Sequence, residues 1–348
     1  MSFRKQSTTS PWNLQISALA ALCLFTLFFF LSCSSSDGRF RLEGQFSNIN
    51  QGEFYIYSYE NGVKDTIAVN DGRFVYEIST EDTVTLMLLF PNYSEIPVFA
   101  APGVSLKMTG DVSHLRETEV EGSPDNEEMT AFRLRTNDMM PPEVEQAAEQ
   151  FIREHPATSM SSYLLRRYML QSITPDYSKA FRLCSLIHVA QPHSVPMARL
   201  FTQLQTLRNN VTSGPLPHFT ALTTKGDTIT NQQLNKPANI IVVWAPWMYD
   251  SYSVFRRLKT FEKEHPRSIS VLAITMDASP SEGRKILERD SILWPVVCDS
   301  MLWKSPIIDT LGICTLPANI LIDKDGNIVA RNLNDNDLMQ KVEGLVGE

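Results

Sequence analysis

The sequence predicts an α/β C-terminal domain preceded by an all-β sandwich and a helical segment. Three observations carry that prediction. From Phe40 to about Thr109, apolar and polar residues alternate with the period of half-buried strands. From about Glu121 to Asn210 the apolar spacing becomes helical. Beyond Pro217, the continuous apolar run Asn239 to Trp244 and a second buried-strand pattern, Ser268 to Met276, each precede an amphipathic stretch, the order of buried parallel strands joined by helices.

The first region, residues 39–118, reads as strands at Phe40 to Glu43, Phe54 to Tyr59, Thr66 to Val69, Arg73 to Ile78, Thr83 to Phe90, Ile96 to Ala100 and Val104 to Met108. Gly44, Gly52, Gly62 and Gly72 punctuate them, and Asn70-Asp71-Gly72 is a hairpin turn. Short strands with regular turns suggest a small sandwich. The aromatics Phe54, Tyr55, Tyr57, Tyr59, Phe74 and Tyr76 are either a ligand face or, as β-formers more often are, core and cross-strand packing. In residues 119–212, Pro142 opens a helix with Val144, Ala147, Ala148, Phe151 and Ile152 on one face. Tyr163 to Leu170 forms a second helix, and Thr174-Pro175-Asp176 starts a third. Cys184 lies at core spacing with Phe181 and Ile187, and His155, His188 and His193 lack metal-ligand spacing.

The chain of 348 residues has room for two cores. Its net charge of −8 argues against a nucleic-acid partner, which would need a basic face. The amino terminus reads as an export leader. Arg4 and Lys5 precede an apolar run from Ile16 to Leu31, shorter than the ~20 residues that usually span a bilayer. Phe30-Leu31-Ser32-Cys33 and the polar run after it resemble a bacterial lipoprotein signal. The resemblance implies a leader over residues 1–32, acylation of Cys33 and a tether over 33–38. It also implies a membrane as partner, with outer-membrane sorting suggested by Ser34; a transmembrane anchor is the alternative. Cys23 leaves with the leader. Cys184, Cys298 and Cys314 then remain, too few for a disulfide scaffold.

Residues 213–348 follow the linker-like Ser213-Gly214-Pro215-Leu216-Pro217. After the strand ending at Trp244, Ser251 to His265 is an amphipathic helix with Val254, Phe255, Leu258 and Phe261 inward. A strand to Met276 and a helix from Ser281 to Asp290 follow, then a hairpin of Ala318 to Asp323 with Asn327 to Leu333, then a helix from Leu338 to Leu345. Asp323-Lys324-Asp325-Gly326-Asn327 reads as its turn rather than a calcium loop, because the glycine is out of register.

Four local marks fall along this region. They are Leu216-Pro217-His218-Phe219, Gly226-Asp227-Thr228-Ile229, the corner Trp244-Ala245-Pro246-Trp247-Met248-Tyr249-Asp250-Ser251, and the triplet Thr315-Leu316-Pro317. Together they resemble a TlpA/ResA-like, AhpC/TSA-related thioredoxin domain. The upstream residues, Phe40 to Gly110 with Val120-Glu121-Gly122-Ser123-Pro124, resemble an uncharacterised β-sandwich of Gram-negative envelope lipoproteins that carry such domains. The resemblance implies thiol–disulfide exchange in the periplasm, a cis bond before Pro317, and peptide binding beside it.

The two family cysteines would fall on Met248 and Ser251, and neither can attack or resolve a disulfide. Val242 stands where some thioredoxins carry a buried Asp. The expected protein is therefore a redox-inactive binding or assembly module without a cofactor or metal, holding a peptide or protein at Trp247, Met248, Leu316 and Pro317. The alternative is a thiol–disulfide oxidoreductase or peroxide-responsive thiol protein using Cys314, with or without Cys298. Cys314 is placed by this reading in a loop facing the corner; the plainer reading of both thiols is semi-buried packing.

Overall fold

The computed structural model describes residues 38–58, 60–172, 175–209, 214–248 and 253–347. The expected leader over residues 1–32, Cys33, Tyr59, Thr174 and Ser251 lie outside the described residues. Among those described, no helix is long and apolar enough to cross a membrane.

Eight strands form the first unit: β1 Phe40–Ser47, β2 Gln51–Tyr57, β3 Lys64–Asn70, β4 Arg73–Ile78, β5 Val84–Leu89, β6 Glu95–Ala100, β7 Ser105–Asp111 and β8 Glu119–Glu121. Their order is β6-β5-β2-β3-β4-β1-β7-β8. β3 and β4 pair only at Asn70↔Arg73, so the sheet divides into two four-stranded halves joined by one turn. Asp71 and Gly72 in that turn have φ of 50° and 71°, the left-handed pair a tight hairpin requires. The inner faces of both halves share a single core, in which Phe54 of β2 meets Phe46 of β1 edge-on at 5.4 Å. Period 2 is visible in β1, where Phe40, Leu42 and Phe46 are buried and Glu43 and Gln45 exposed. Gly44 breaks that inward row, because a Cβ there would fall 2.0 Å from the ring of Phe74, its cross-strand partner.

Five helices follow: α1 Pro124–Thr136, α2 Pro141–Glu154, α3 Ser159–Leu164, α4 Tyr177–Ala190 and α5 Val195–Asn209. α3 runs on into a π-turn at Leu165–Leu170. α2 starts on prolines and buries Ala148, Phe151 and Ile152, the expected stripe. The Asp176 carboxylate caps α4 by accepting from the Lys179 amide at 2.9 Å. These helices enclose their own core.

The last unit contains β9 Thr220–Leu222, β10 Thr228–Thr230, β11 Ala238–Trp244, α6 Ser253–Glu264, β12 Ile269–Thr275, α7 Pro280–Arg289, β13 Val296–Val297, α8 Pro306–Leu311, β14 Ala318–Asp323, β15 Ile328–Arg331 and α9 Asp335–Gly347. The sheet order is β13-β12-β11-β14-β15, with β12 parallel and β14 antiparallel to the central β11. A βαβ unit closed by an antiparallel hairpin and a helix is a thioredoxin-like fold. Successive residues of β11 face opposite layers: Ile240, Val242 and Trp244 pack on α6 and α9, whereas Ile241 and Val243 pack toward α8. The linker-like segment is pinned to this unit, since the Leu216 amide donates to the Gly326 carbonyl at 2.9 Å and Leu216 enters the core. Asp323 Oδ1 accepts from the Asp325 and Asn327 amides at 2.9 and 2.8 Å, closing the β14–β15 turn.

Candidate functional site

The corner begins where β11 ends. Trp244 is fully buried and meets Phe255 of α6 edge-on at 5.2 Å, which fixes the angle between strand and helix. The Met248 amide donates to the Ala245 carbonyl at 3.1 Å, turning the chain outward. Trp247 and Met248 are half-buried and pack on the apolar cluster that contains Leu316. The Leu316–Pro317 bond is cis, with Leu316 buried and Pro317 exposed. Trp247, Met248 and Leu316 thus belong to one apolar cluster, and Pro317, next to Leu316, is exposed. Cysteine is absent from that cluster among the described residues.

The thiols are elsewhere. Within the loop after α8, Ile313 and Leu316 turn into the sheet's core, while Cys314 between them turns the other way into the helical core. The expectation that Cys314 faces the Met248 corner is therefore corrected: the loop meets that apolar cluster through Ile313 and Leu316, while Cys314 belongs to the helical core and lines a small cavity with Leu316. Burial pushes its thiol up to about 12, although Arg166 and Arg331 pull the other way. Cys184, fully buried in the same core, is also pushed up to about 12 by burial. Cys298 follows β13, half-buried, its thiol donating weakly to the Asp277 carbonyl at 3.7 Å. It opens on a groove beside α7 and the β9–β10 hairpin, not on the surface that Cys314 touches. All three are free thiols.

The β-sheet unit reaches the corner as well. Tyr57, at the end of β2, stacks on Trp247 with ring centroids 5.4 Å apart and planes 30° from parallel, and its hydroxyl donates to Glu95. Next to Glu95 lies a largely enclosed cavity of about 40 Å³ lined by Glu60, Met87, Arg166, Trp303, Cys314 and Leu316 as well as Glu95. Burial raises the Glu60 carboxyl above the usual carboxylate range, opposed by the Arg166 charge. The Arg166 guanidinium also lies over the Trp303 ring at 5.7 Å. Sequence reading missed this three-way junction. Tyr57 was visible as one aromatic among several, and Gly62 as punctuation between strands, but no periodicity places either against a domain so distant in sequence.

Together these features define a multi-unit chain with a thioredoxin-like domain at its carboxy end and a β-rich domain ahead of it. Residues 40–129 match the model of a domain of unknown function (DUF4369). The chain is similar to the C-terminal domain of a proposed thiol-disulfide oxidoreductase from Bacteroides thetaiotaomicron, with 28% identity over 40% of this chain and 97% of that one, at a TM-score of 0.36. It is similar also to a thiol-disulfide oxidoreductase from Bacteroides fragilis, with 25% identity over 38% and 99% of the two chains and a TM-score of 0.35. A thioredoxin-like protein from Bacteroides caccae aligns over 60% of this chain and 86% of that one, with 14% identity and a TM-score of 0.40. No curated protein matches the chain significantly.

Proposed function

We propose that this chain is a lipoprotein of the bacterial envelope whose thioredoxin-like domain binds or assembles rather than exchanges disulfides. Cys33 carries the lipid anchor, most consistent with the outer membrane facing the periplasm. A peptide or protein partner docks at Trp247, Met248, Leu316 and Pro317. One observation carries the reading: the corner presents the Met248 thioether on an apolar cluster without cysteine among the described residues. A thioether has no proton to lose and cannot form the mixed disulfide that exchange requires. The rival reading, a thiol enzyme built on Cys314 with or without Cys298, needs an accessible thiolate. Against it stand the burial of Cys314 at 2% exposure and its raised pKa.

Insulin reduction with dithiothreitol tests the central point. The expected result is no acceleration over reductant alone. Turnover that survives Cys298→Ala and Cys314→Ala would sink the proposal. Membrane fractionation tests the anchor: Cys33→Ala is expected to move the protein from the membrane to the soluble fraction.

A further inference from the structure

The contact between the β-sheet unit and the thioredoxin-like unit falls on the corner itself. Tyr57 stacks on Trp247 at 5.4 Å. Gly62, in the left-handed conformation at φ 71°, lies against the same unit: a Cβ there would meet Leu302 Cδ1 at 2.8 Å and the Ala278 methyl at 3.4 Å. Lys64, the first residue of β3, pairs with Glu282 of α7 at 3.0 Å. The β2–β3 hairpin therefore crosses from the Trp247 side of the domain to the start of α7.

This contact lies outside the apolar cores on either side. The apolar cluster of the β-sheet unit and that of the thioredoxin-like unit share no buried member. Among the described contacts between them are an aromatic stack, an exposed ion pair, the packing of Gly62 on Leu302 and Ala278, and a cavity in which Glu60, Glu95 and Arg166 stand among apolar neighbours such as Met87 and Leu316, with room for roughly two or three waters. Units that keep separate cores move relative to one another by default, without either unfolding, unless the interface joining them is large and hydrophobic.

We infer that the β2–β3 hairpin is a strap that masks the corner, shielding Trp247, Leu302 and Leu316 until it lifts. A partner reaching the exposed Pro317 first would gain the rest of the surface by displacing Tyr57 from Trp247. The inference rests on reading the corner as a binding surface. Its test is independent of that reading, because it measures only whether the hairpin covers the corner.

Hydrogen exchange followed by mass spectrometry on the full chain provides the test. Tyr57→Ala is expected to speed amide exchange at residues 302–304 and 313–318 by about three- to tenfold, the scale of one aromatic pair. Exchange in β1 and β4 should stay unchanged. Tyr57→Phe keeps the ring and should change these peptides less. Should Tyr57→Ala fail to fold, Trp247→Ala reads the contact from the other side, through faster exchange at residues 60–64. No change at either side in folded variants overturns the strap. Uniformly faster exchange reaching β1 and β4, or failure of both alanine variants to fold, also overturns it, because the stack would then be part of the fold's core. Insulin turnover by the unmodified protein would remove the binding-module reading and leave the exchange result standing.

Discussion

Asn126 and Phe99 exchange two hydrogen bonds across the edge of the β-sheet: the Phe99 amide donates to Asn126 Oδ1 at 2.9 Å, and Asn126 Nδ2 donates to the Phe99 carbonyl at 3.0 Å. An amide side chain thus stands in for the strand that β6 lacks. One turn further along α1, Thr130 does the same for the opposite edge, accepting from the Val120 amide of β8 at 3.1 Å and donating to its carbonyl at 3.3 Å. A single helix seals both edges of the eight-stranded sheet, where open strands would invite pairing with other chains.

Asn126→Ala should therefore destabilise the β-sheet unit strongly. It leaves a buried backbone donor and acceptor of Phe99 without partners, a loss of about 2–4 kcal/mol. Urea unfolding monitored by circular dichroism measures this. A midpoint equal to that of the parent would show that β6 finds other partners.

Gly44→Ala is the second expectation. The new methyl would fall 2.0 Å from Phe74 Cε1, and the ring is held in the core beside Phe46 and Phe54. Overpacking at such a site costs about 1–3 kcal/mol. Phe74→Leu in the same chain should recover part of the loss, so the two changes should be non-additive in thermal unfolding.

How much of this was legible in the sequence follows from the range of each interaction. β11 could be read because Asn239 to Trp244 is apolar on both faces, as a central strand must be. The stripe of α2 could be read because its apolar spacing is local. Asn126 could not, because a polar residue inside a helix gives no sign that its partner is Phe99 on a distant strand. Cys314 was assigned to the wrong side for a related reason: a loop has no period, so which of two cores each of its residues enters appears only when both cores are in place. The Tyr57–Trp247 stack joins units separated by the whole helical segment, and local pattern carries nothing about it.

The thiols should separate into two reactivity classes. With pKa near 12, Cys184 and Cys314 hold only about one thiolate in ten thousand at pH 8. In native protein, iodoacetamide at pH 8 is expected to label Cys298 first and slowly, since burial raises its pKa also, and to leave the other two unlabelled until urea is added. Peptide mapping decides it. Rapid native labelling of Cys314 would reopen the thiol-enzyme reading.

Asp111 carries a pH dependence at the end of β7. Hydrogen bonds from Asn48 Nδ2 and the Ser113 amide, both 2.7 Å, lower its carboxyl from 3.8 to about 2. A depressed carboxylate contributes stability that is present above its unfolded value and lost as pH falls through the folded one, here from about 4 down to about 2. Asp111 is only partly buried and its carboxylate is open to solvent, so screening weakens the effect and it should be small. Carbon-detected NMR titration should place the carboxyl near 2, and Asn48→Ala should move it back toward the ordinary range.

The proposal that the corner kept its frame and dropped its chemistry predicts a gain of function. Met248→Cys with Ser251→Cys restores a spacing in which one thiolate attacks a substrate disulfide and the second thiol resolves the mixed disulfide, releasing reduced substrate. The buried Trp244, its contact with Phe255 and the cis Leu316–Pro317 bond are the supports such a site would need, and they are present without either cysteine. The double variant should accelerate insulin reduction by dithiothreitol, whereas Met248→Cys alone should stall as a trapped mixed disulfide visible on non-reducing gels. Adding Tyr57→Ala to the double variant should raise the rate further, because the hairpin would otherwise restrict access to residue 248. A folded double variant that forms its disulfide yet reduces nothing would show that the corner lost its substrate surface along with its thiols.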